Sequence, residues 1–404
     1  MAGSFSDIIT KKKKEWNADG LMDGARAQRG PKIPFASPLM NWATYGGIPQ
    51  NKITEFFGDP GGGKSTTAID VCKSAVSICL KEFEDKVTAL RDRIAKNDRK
   101  AEAELEDLQE QGPRRVLYID LEHAFDGEWS KVLGIDEHDG CFAIMQPPNV
   151  TAEDVLQTVE DLINTGEVYM IVLDSIPSLV PKTELEKKYG ERTVAALAGL
   201  LTVFTRKIVS QLTRYNCTLL IINQLRDSQD NPYILQTPGG RAVKFYSSLR
   251  IYFRVGNPVD FLGNELPMKF ENPAGYIIRA RIVKQKTAPW DRKEATYFLM
   301  ASSGIRPDYD YAALAVNKYS IIKKAGAWFS ICDPVTGEVL EDETGKVIKV
   351  NGMAKVYQYL SDNPDYYTKL QTYIMNDING KSNVVDSDVV THEYDDVDGG
   401  NDDN

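Results

Sequence analysis

The chain has 404 residues, of which 42% are hydrophobic and 26% charged, and a formal net charge of −10. No apolar stretch approaches the roughly 20 residues that a membrane span needs. The five cysteines are scattered and form no C-x-x-C pair, and with only three histidines the composition argues against a disulfide framework and against a zinc site. We therefore expect a cytoplasmic protein with reduced thiols, with room for one large α/β core and a smaller domain, or for two to three domains.

The N-terminal segment, residues 1–32, is polar and basic. We predict one short helix in it, between Phe5 and Trp16. The lysines at positions 11 to 14 are not followed by an apolar run, so this segment does not resemble a secretory signal.

The most informative feature is the octapeptide G-D-P-G-G-G-K-S at residues 58–65. It follows an extended apolar run and precedes a segment with helical spacing, which is the context of a phosphate-binding P-loop. Its glycines allow backbone N–H groups to surround an anion at the positive end of a helix. We predict that Lys64 reaches the β- and γ-phosphates of a nucleoside triphosphate and that Ser65 holds Mg²⁺. A glycine-rich turn that matches by chance is the alternative. The predicted nucleotide contacts in this loop are Gly58, Asp59, Pro60, Gly61, Gly62, Gly63, Lys64, Ser65 and Thr66.

A densely charged segment, residues 81–115, follows the P-loop helix. Its apolar residues are spaced 3, 4, 3 and 4 positions apart, at Leu80, Phe83, Val87, Leu90 and Ile94. This spacing is typical of a coiled-coil seam. We predict a helical arm that extends the P-loop helix, breaks at Asn97 and returns as an antiparallel partner. The arm is either a charged surface insertion or a protein-docking element.

Apolar strands alternate with helical segments from Ile33 to about Met300, which is typical of an α/β fold with a mostly parallel, twisted sheet flanked by helices. The alternation of strands and helical segments then ends, and residues 307–380 are predicted to form a small α+β unit. An acidic tail, residues 381–404, follows it; the tail holds eight acids and is predicted to be disordered. The candidate strands are Val116–Ile119, Phe142–Met145, Met170–Leu173, Leu219–Ile222, Leu249–Phe253, Ile277–Val283 and Thr296–Met300.

Two strands end in acids that suit a nucleotide site. Asp174 follows a buried-strand pattern and is the acid expected to orient Mg²⁺ beside a P-loop. Glu122 follows a second strand, and ligands of open α/β sheets sit beyond the carboxyl ends of strands. We therefore predict that Glu122 is the general base that activates the attacking water. Asp126 fits a helix cap, and Trp129 offers a flat face for adenine or packs in the core.

Six motifs resemble bacterial RecA recombinases, in the same order. They cover roughly residues 35–380, with the 81–115 arm as an insertion. The short N-terminal region and the looser identity suggest a divergent, phage-encoded member that resembles recombinases of the UvsX type. The motifs are Y-I-D-L-E-H-A-F-D (118–126), I-V-L-D-S-I-P-S-L-V-P-K (171–182), I-I-N-Q-L-R (221–226), P-G-G-R-A-V-K-F-Y-S-S-L-R (238–250), R-I-V-K-Q-K-T-A-P-W (281–290) and K-K-A-G-A-W-F-S (323–330).

The resemblance implies a DNA-dependent ATPase that uses ATP and Mg²⁺, forms a helical filament on single-stranded DNA, and catalyses pairing and strand exchange with homologous duplex DNA. Residues 1–32 would serve polymerisation, residues 33–306 would form the ATPase core, and residues 307–380 would gather duplex DNA. Single-strand binding protein and mediator proteins would be further partners. The location would be the cytoplasm, at the nucleoid of a bacterium or of a phage-infected host.

The resemblance also implies roles for single residues. Lys64 and Glu122 are catalytic, Asp126 and Trp129 contact the nucleotide, and Ser65 and Asp174 hold Mg²⁺. Gln224 senses the γ-phosphate, and Lys284 and Lys286 reach the γ-phosphate of a neighbouring subunit. Without the other motifs, the two lysines would be read as solvated strand residues.

Two loops, roughly residues 186–194 and 226–240, would face the filament axis and contact DNA in a sequence-tolerant way. Apolar side chains such as Tyr233 or Ile234 would wedge between stretched bases. The implied DNA contacts are Val194, Thr202, Arg206, Lys207, Arg226, Gly239, Gly240, Arg241 and Lys244.

Three questions stay open at the level of the sequence. The acidic tail is either a solubilising end or an autoinhibitory segment that competes with DNA for basic loops. A hexameric DNA translocase or helicase on the same core is one alternative function. A recombination mediator that holds nucleotide without hydrolysing it is the other.

Overall fold

The computed structural model describes residues 30–135, 140–187, 196–227 and 235–380, together with Asp7, Thr10 and Lys11. The N-terminal helix predicted between Phe5 and Trp16 lies largely outside these residues, and the acidic tail lies entirely outside them.

The described residues contain sixteen strands. In chain order they are β1 (Lys32–Ile33), β2 (Ile48–Pro49), β3 (Ile53–Gly58), β4 (Arg115–Asp120), β5 (Phe142–Met145), β6 (Val168–Asp174), β7 (Thr218–Gln224), β8 (Arg226–Asp227), β9 (Leu235–Gln236), β10 (Leu249–Val259), β11 (Gly275–Gln285), β12 (Glu294–Met300), β13 (Gly304–Ile305), β14 (Ile322–Ala325), β15 (Trp328–Ile331) and β16 (Lys349–Asn351).

The same residues contain eleven α-helices and one short 3₁₀-helix, Ile176–Ser178. The α-helices are α1 (Pro38–Thr44), α2 (Lys64–Ala95), α3 (Lys100–Gln111), α4 (Gly127–Val132), α5 (Ala152–Thr165), α6 (Lys182–Leu185), α7 (Ala196–Arg214), α8 (Ala242–Tyr246), α9 (Pro307–Asn317), α10 (Met353–Asp362) and α11 (Pro364–Ile378).

A single large sheet organises the chain. Its order within the described residues is β13-β12-β11-β10-β3-β7-β6-β4-β5. The strands from β10 to β5 run parallel to one another, and β11, β12 and β13 add an antiparallel edge. All of β6 is buried because helices cover both faces, which is why it reads as a continuous apolar run. The predicted α/β class with a mostly parallel sheet is confirmed.

The charged segment after the P-loop helix forms two helices. α2 continues without a break to Ala95, Asn97 then adopts a left-handed conformation with φ 63°, and α3 returns. Arg93 holds the turn because it pairs with Asp98 at 2.7 Å and with Glu104 at 2.6 Å. Val87 is buried along the seam between the helices. The helical arm therefore has the form that the sequence predicts.

The last described unit packs α9, α10 and α11 against the three-stranded sheet β14-β15-β16. It docks on the core through α1, whose Leu39 and Trp42 pack against its apolar cluster. A buried carboxylate lies at this contact, because Ser37 at the N-terminus of α1 donates a hydrogen bond to Asp310 of α9. Among the described residues, no helix is both long and apolar enough to cross a membrane.

The buried Asp310 predicts a pH-dependent stability. Burial raises the pKa of its carboxyl to about 8, and its Oδ1 has no hydrogen-bond partner within the described residues, as a protonated acid would allow. The unfolded chain releases this proton near pH 4. The stabilising contribution is therefore complete below about pH 4 and is lost as the pH rises toward about 8, at a rate of at most about 1.4 kcal/mol per pH unit.

Urea unfolding at several pH values checks this prediction. The Asp310→Asn variant keeps an acceptor for Ser37 and cannot ionise, so its stability relative to the unmodified chain should rise between about pH 5 and 8 and then level off. A difference between the two proteins that does not change with pH would contradict the assignment.

Candidate functional site

The P-loop connects the end of β3 to the start of α2. Its backbone needs glycine: Gly58 has φ 152°, and a Cβ atom there would lie 2.0 Å from the carbonyl oxygen of Phe253 on β10. Gly63, with φ 79°, precedes the first residue of α2. Gly61 is also left-handed, with φ 71°, and Thr66 lies in the first turn of α2. The loop therefore forms at the N-terminus of a long helix, where anions bind.

Lys64 lies over this loop. Its Nζ donates hydrogen bonds to the carbonyl oxygens of Gly58, at 3.2 Å, and Asp59, at 2.7 Å. Burial lowers the pKa of Lys64, and the nearby carboxylates of Asp174, Asp59 and Glu122 oppose that shift. A phosphate oxygen would supply the same kind of acceptor with a full negative charge, so the lysine is placed to exchange these carbonyls for a ligand.

Ser65 and Asp174 meet at the neighbouring strand end. The Ser65 Oγ donates to Asp174 Oδ2 at 2.8 Å, and the Tyr118 Oη donates to the same oxygen at 2.5 Å. Burial raises the pKa of Asp174, and the two hydrogen bonds oppose this shift. A hydroxyl beside a single carboxylate is a hard-oxygen pair that fits Mg²⁺, which keeps several waters and phosphate oxygens as its other ligands.

Glu122 lies in the turn after β4 and is exposed. Its Oε1 accepts a hydrogen bond from Gln224 Nε2 at 2.7 Å and another from Ser175 Oγ. The structure thus brings together the predicted base and the predicted phosphate sensor. Ser175 joins them because it directly follows Asp174 at the end of β6.

The turn that carries Glu122 is fixed by Asp120, which sequence reasoning missed as a positioning residue. The buried Asp120 accepts hydrogen bonds from the backbone N–H groups of Glu122, at 3.0 Å, and Phe125, at 2.8 Å, and from Gln146 Nε2, at 2.8 Å. The only signal for this role in the sequence was the position of Asp120, an acid at a strand end two residues before the predicted base.

Asp126 and Trp129 lie on the next element. Asp126 caps α4, because its side chain accepts a hydrogen bond from the Trp129 N–H at 3.1 Å. The expected helix cap is therefore confirmed. The Trp129 ring is half-buried and packs against the core beneath α2, which leaves part of its surface accessible.

A hydrogen-bonded path leads from Gln224 to the second predicted DNA loop. Asn223 Oδ1 accepts from the Gln224 N–H at 3.0 Å, and Asn223 Nδ2 donates to Pro238 O and to Glu55 Oε1, both at 3.1 Å. Glu55 is fully buried and forms an ion pair with Arg250. Sequence reasoning missed this network, although a charged residue inside the apolar β3 strand was a signal for it.

The glycines that close the second loop pack on the start of α7. A Cβ atom at Gly239 would lie 2.6 Å from Leu201 Cδ1, and one at Gly240 would lie 3.0 Å from Ala198 Cβ. Because α7 follows the first predicted DNA loop, the described ends of the two loops adjoin. Val194, Tyr233 and Ile234 lie outside the described residues.

The side chains predicted to contact DNA differ in their accessibility and in their partners. Thr202 and Arg206 are exposed and lie one turn apart on α7, and Arg241 and Arg226 are exposed near the second loop. Lys207 instead pairs with Glu160 of α5, at 3.2 Å.

Lys244 is half-buried on α8, and burial lowers its pKa, with the charges of Arg250 and Arg241 acting in the same direction. Lys244 is thus less accessible to a DNA phosphate than the exposed side chains.

Lys284 and Lys286 lie at the C-terminal end of β11, and their side chains converge on carbonyl oxygens of α8. The Nζ atoms of both donate to the carbonyl oxygen of Phe245, at 2.7 and 2.9 Å, and Lys284 also donates to that of Lys244, at 2.6 Å. Burial, followed by the charge of Lys286, lowers the pKa of Lys284 to about 8. The Phe245 ring lies beside both ammonium groups and is 67% exposed.

Comparisons with known proteins agree with this geometry. A family model described as the RecA N-terminal domain matches residues 100–306. Protein RecA of Thermus aquaticus is 31% identical over 383 residues, covering 92% of this chain and 93% of the relative. Protein RecA of Aquifex aeolicus (strain VF5) is 32% identical over 338 residues, covering 82% and 80%. Protein RecA of Aquifex pyrophilus is 33% identical over 342 residues, covering 80% and 84%.

With a P-loop, a Mg²⁺-type oxygen pair and a carboxylate at one sheet edge, the chain belongs to the RecA family of ATP-dependent DNA recombinases.

Proposed function

We propose that this chain binds ATP between neighbouring subunits of a helical filament on single-stranded DNA and uses the bound nucleotide to control pairing and strand exchange with homologous duplex DNA. The observation that carries this proposal is the position of Gln224. Its side chain bonds the predicted base, Glu122, and its backbone bonds Asn223, which contacts the second loop through Pro238. Nucleotide chemistry and DNA contact are thereby joined by three consecutive hydrogen bonds.

Hydrolysis follows from the arrangement of the protein groups. The P-loop amides and Lys64 bind the phosphates, and Ser65 and Asp174 would hold Mg²⁺, which would neutralise charge on the phosphates. Glu122 accepts the proton of the attacking water. Ser175 and Gln224 orient the Glu122 carboxylate, since both donate to its Oε1.

Coupling to DNA follows from the uncharged amide of Gln224. A γ-phosphate competes with Glu122 for the Nε2 donor of Gln224, so the side chain has two alternative acceptors. A change at Gln224 reaches Pro238 through Asn223, and Gly239 and Gly240 then carry it to the start of α7. ATP binding thus favours one arrangement of both DNA loops, and hydrolysis releases it.

The lysine pair supports a subunit interface. The ammonium groups of Lys284 and Lys286 converge on the carbonyl oxygen of Phe245, beside an exposed aromatic ring, and form a cationic surface that suits an anion. We assign that anion to the γ-phosphate held by an adjacent subunit, as an arginine finger acts in trans.

The DNA surface of the filament is basic around Arg206, Arg226 and Arg241, and phosphate contacts of this kind are tolerant of sequence. Single-strand binding protein and mediator proteins are further proposed partners, because the single strand that this surface binds must first be cleared of other proteins. A nucleoid location is proposed on the same ground.

Replacing the predicted base separates hydrolysis from assembly. We expect Glu122→Ala to lower DNA-stimulated ATP hydrolysis by a factor of about 10² to 10⁴, while filaments on single-stranded DNA remain visible by negative-stain microscopy. Glu128→Ala is the matched control, because Glu128 is an exposed acid that pairs with Lys131 on α4. Unchanged turnover would contradict the role of Glu122, and closed rings in place of filaments would contradict the proposed function.

Mixed filaments test the lysines in trans. Glu122→Ala and Lys286→Ala chains should each hydrolyse little ATP alone. In an equal mixture, about one quarter of the interfaces pair an intact Glu122 with an intact Lys286 from the neighbour, so activity should recover to about that fraction. A mixture no more active than its two components would show that the lysine acts within its own subunit or not at all.

The second loop is tested at Gly239. An alanine there must displace Leu201 or the loop end, which shifts Arg241 relative to α7, so we expect the Kd for single-stranded DNA to rise about tenfold. ATP binding without DNA should not change. Gly337→Ala is the control, because Gly337 has a similar φ of 71° and open space around it. Equal DNA affinity in the Gly239 variant and the unmodified chain would be evidence against the loop assignment.

A further inference from the structure

Tyr118 occupies an unusual place for a polar side chain, the middle of β4, which lies between β6 and the edge strand β5 of the large sheet. It is 2% exposed, and its ring packs edge-on against Phe125 with 5.2 Å between the ring centroids. The side chain points toward α2 and β6, since its Oη donates to Asp174 Oδ2 at 2.5 Å. The ring is fixed by packing, so the position of the hydroxyl is fixed as well.

Asp174 receives two donors on one oxygen. Ser65 Oγ and Tyr118 Oη both donate to Oδ2, and neither engages Oδ1. The two donors come from different elements, α2 and β4. Together they define the plane of a carboxylate that would otherwise rotate about its terminal bond.

We propose that Tyr118 is a positioning residue for Mg²⁺, holding the Asp174 carboxylate so that Oδ1 is turned toward the ion and its bound waters. This inference rests on the proposed ATP–Mg²⁺ site and adds a residue that the P-loop and the strand-end acid do not predict. Its physical basis is preorganisation. A hydrogen-bond partner that already orients the ligating carboxylate reduces the entropic cost of ordering that carboxylate when the ion binds.

If Tyr118 had only a structural role, a different result would be expected. If Tyr118 only fills the core, phenylalanine fills the same volume, and removing the hydroxyl leaves Mg²⁺ binding unchanged. The chain offers a matched control in Tyr169 on β6. It is also 2% exposed, and its hydroxyl has no hydrogen-bond partner within the described residues. Tyr169→Phe therefore removes a buried hydroxyl without touching Asp174.

The test is a MgCl₂ titration of the binding of a fluorescent ATP analogue to the full chain. For Tyr118→Phe we expect the half-saturating Mg²⁺ concentration to rise about tenfold or more, with unchanged analogue affinity in the presence of EDTA. At saturating Mg²⁺, kcat should return close to that of the unmodified chain. Tyr169→Phe should titrate like the unmodified chain.

Three results would overturn the inference. The first is a Tyr118→Phe protein that needs the same or less Mg²⁺ than the unmodified chain. The second is a Tyr169→Phe protein with the same rise. The third is a Tyr118→Phe protein that fails to bind the analogue in EDTA or fails to fold, since the hydroxyl would then be structural. If the unmodified chain binds no analogue under any condition, the proposed function itself fails, and that outcome is distinct from all three.

Discussion

The site depends on the parallel pairing of β3, β7, β6 and β4. Parallel strands bring their carboxyl ends to one edge, and the register here aligns Gly58 with Gln224 and Asp120 with Asp174. The P-loop and the residues predicted to sense phosphate, to hold Mg²⁺ and to act as the base therefore meet at this edge, although they come from distant parts of the chain. A ligand at this edge contacts four strand ends at once, as expected for open α/β sheets.

Beneath this edge, the fully buried Glu55 imposes a second constraint. Burying a carboxylate is costly unless it is paired and hydrogen-bonded, and here Arg250 and Asn223 supply both. The same pairing holds Asn223 in the orientation in which it binds Pro238 and the Gln224 N–H. The ionic group thus stabilises a particular arrangement of β3, β7 and β10 more than it stabilises the fold as a whole.

Local patterns were sufficient to predict most strands of the large sheet and the features that lie within one motif. The P-loop glycines, the arm helices and the strand-end acids belong to this class. Tyr118, Asn223 and Ser175 do not, because their partners are fixed by strand register. Tyr118 and Asp174 are 56 positions apart, and no spacing rule shows that they touch. Lys207 shows the same limit from the other side: its DNA contact stays a prediction from the motif, and the packing of α5 against α7 adds Glu160 as a partner that no motif predicts.

The proposed assignment of the lysine pair to the γ-phosphate of a neighbouring subunit implies a link between assembly and protonation. In the isolated chain, burial and the charge of Lys286 lower the pKa of Lys284 to about 8, so part of the population is neutral at slightly alkaline pH. An anionic phosphate presented by a neighbouring subunit favours the charged form and raises that pKa. By linkage, binding of the neighbour and uptake of the proton then favour each other. On that assignment the interface is strongest with a triphosphate present and weakens when the γ-phosphate leaves, which is the order of events that a filament disassembling after hydrolysis requires.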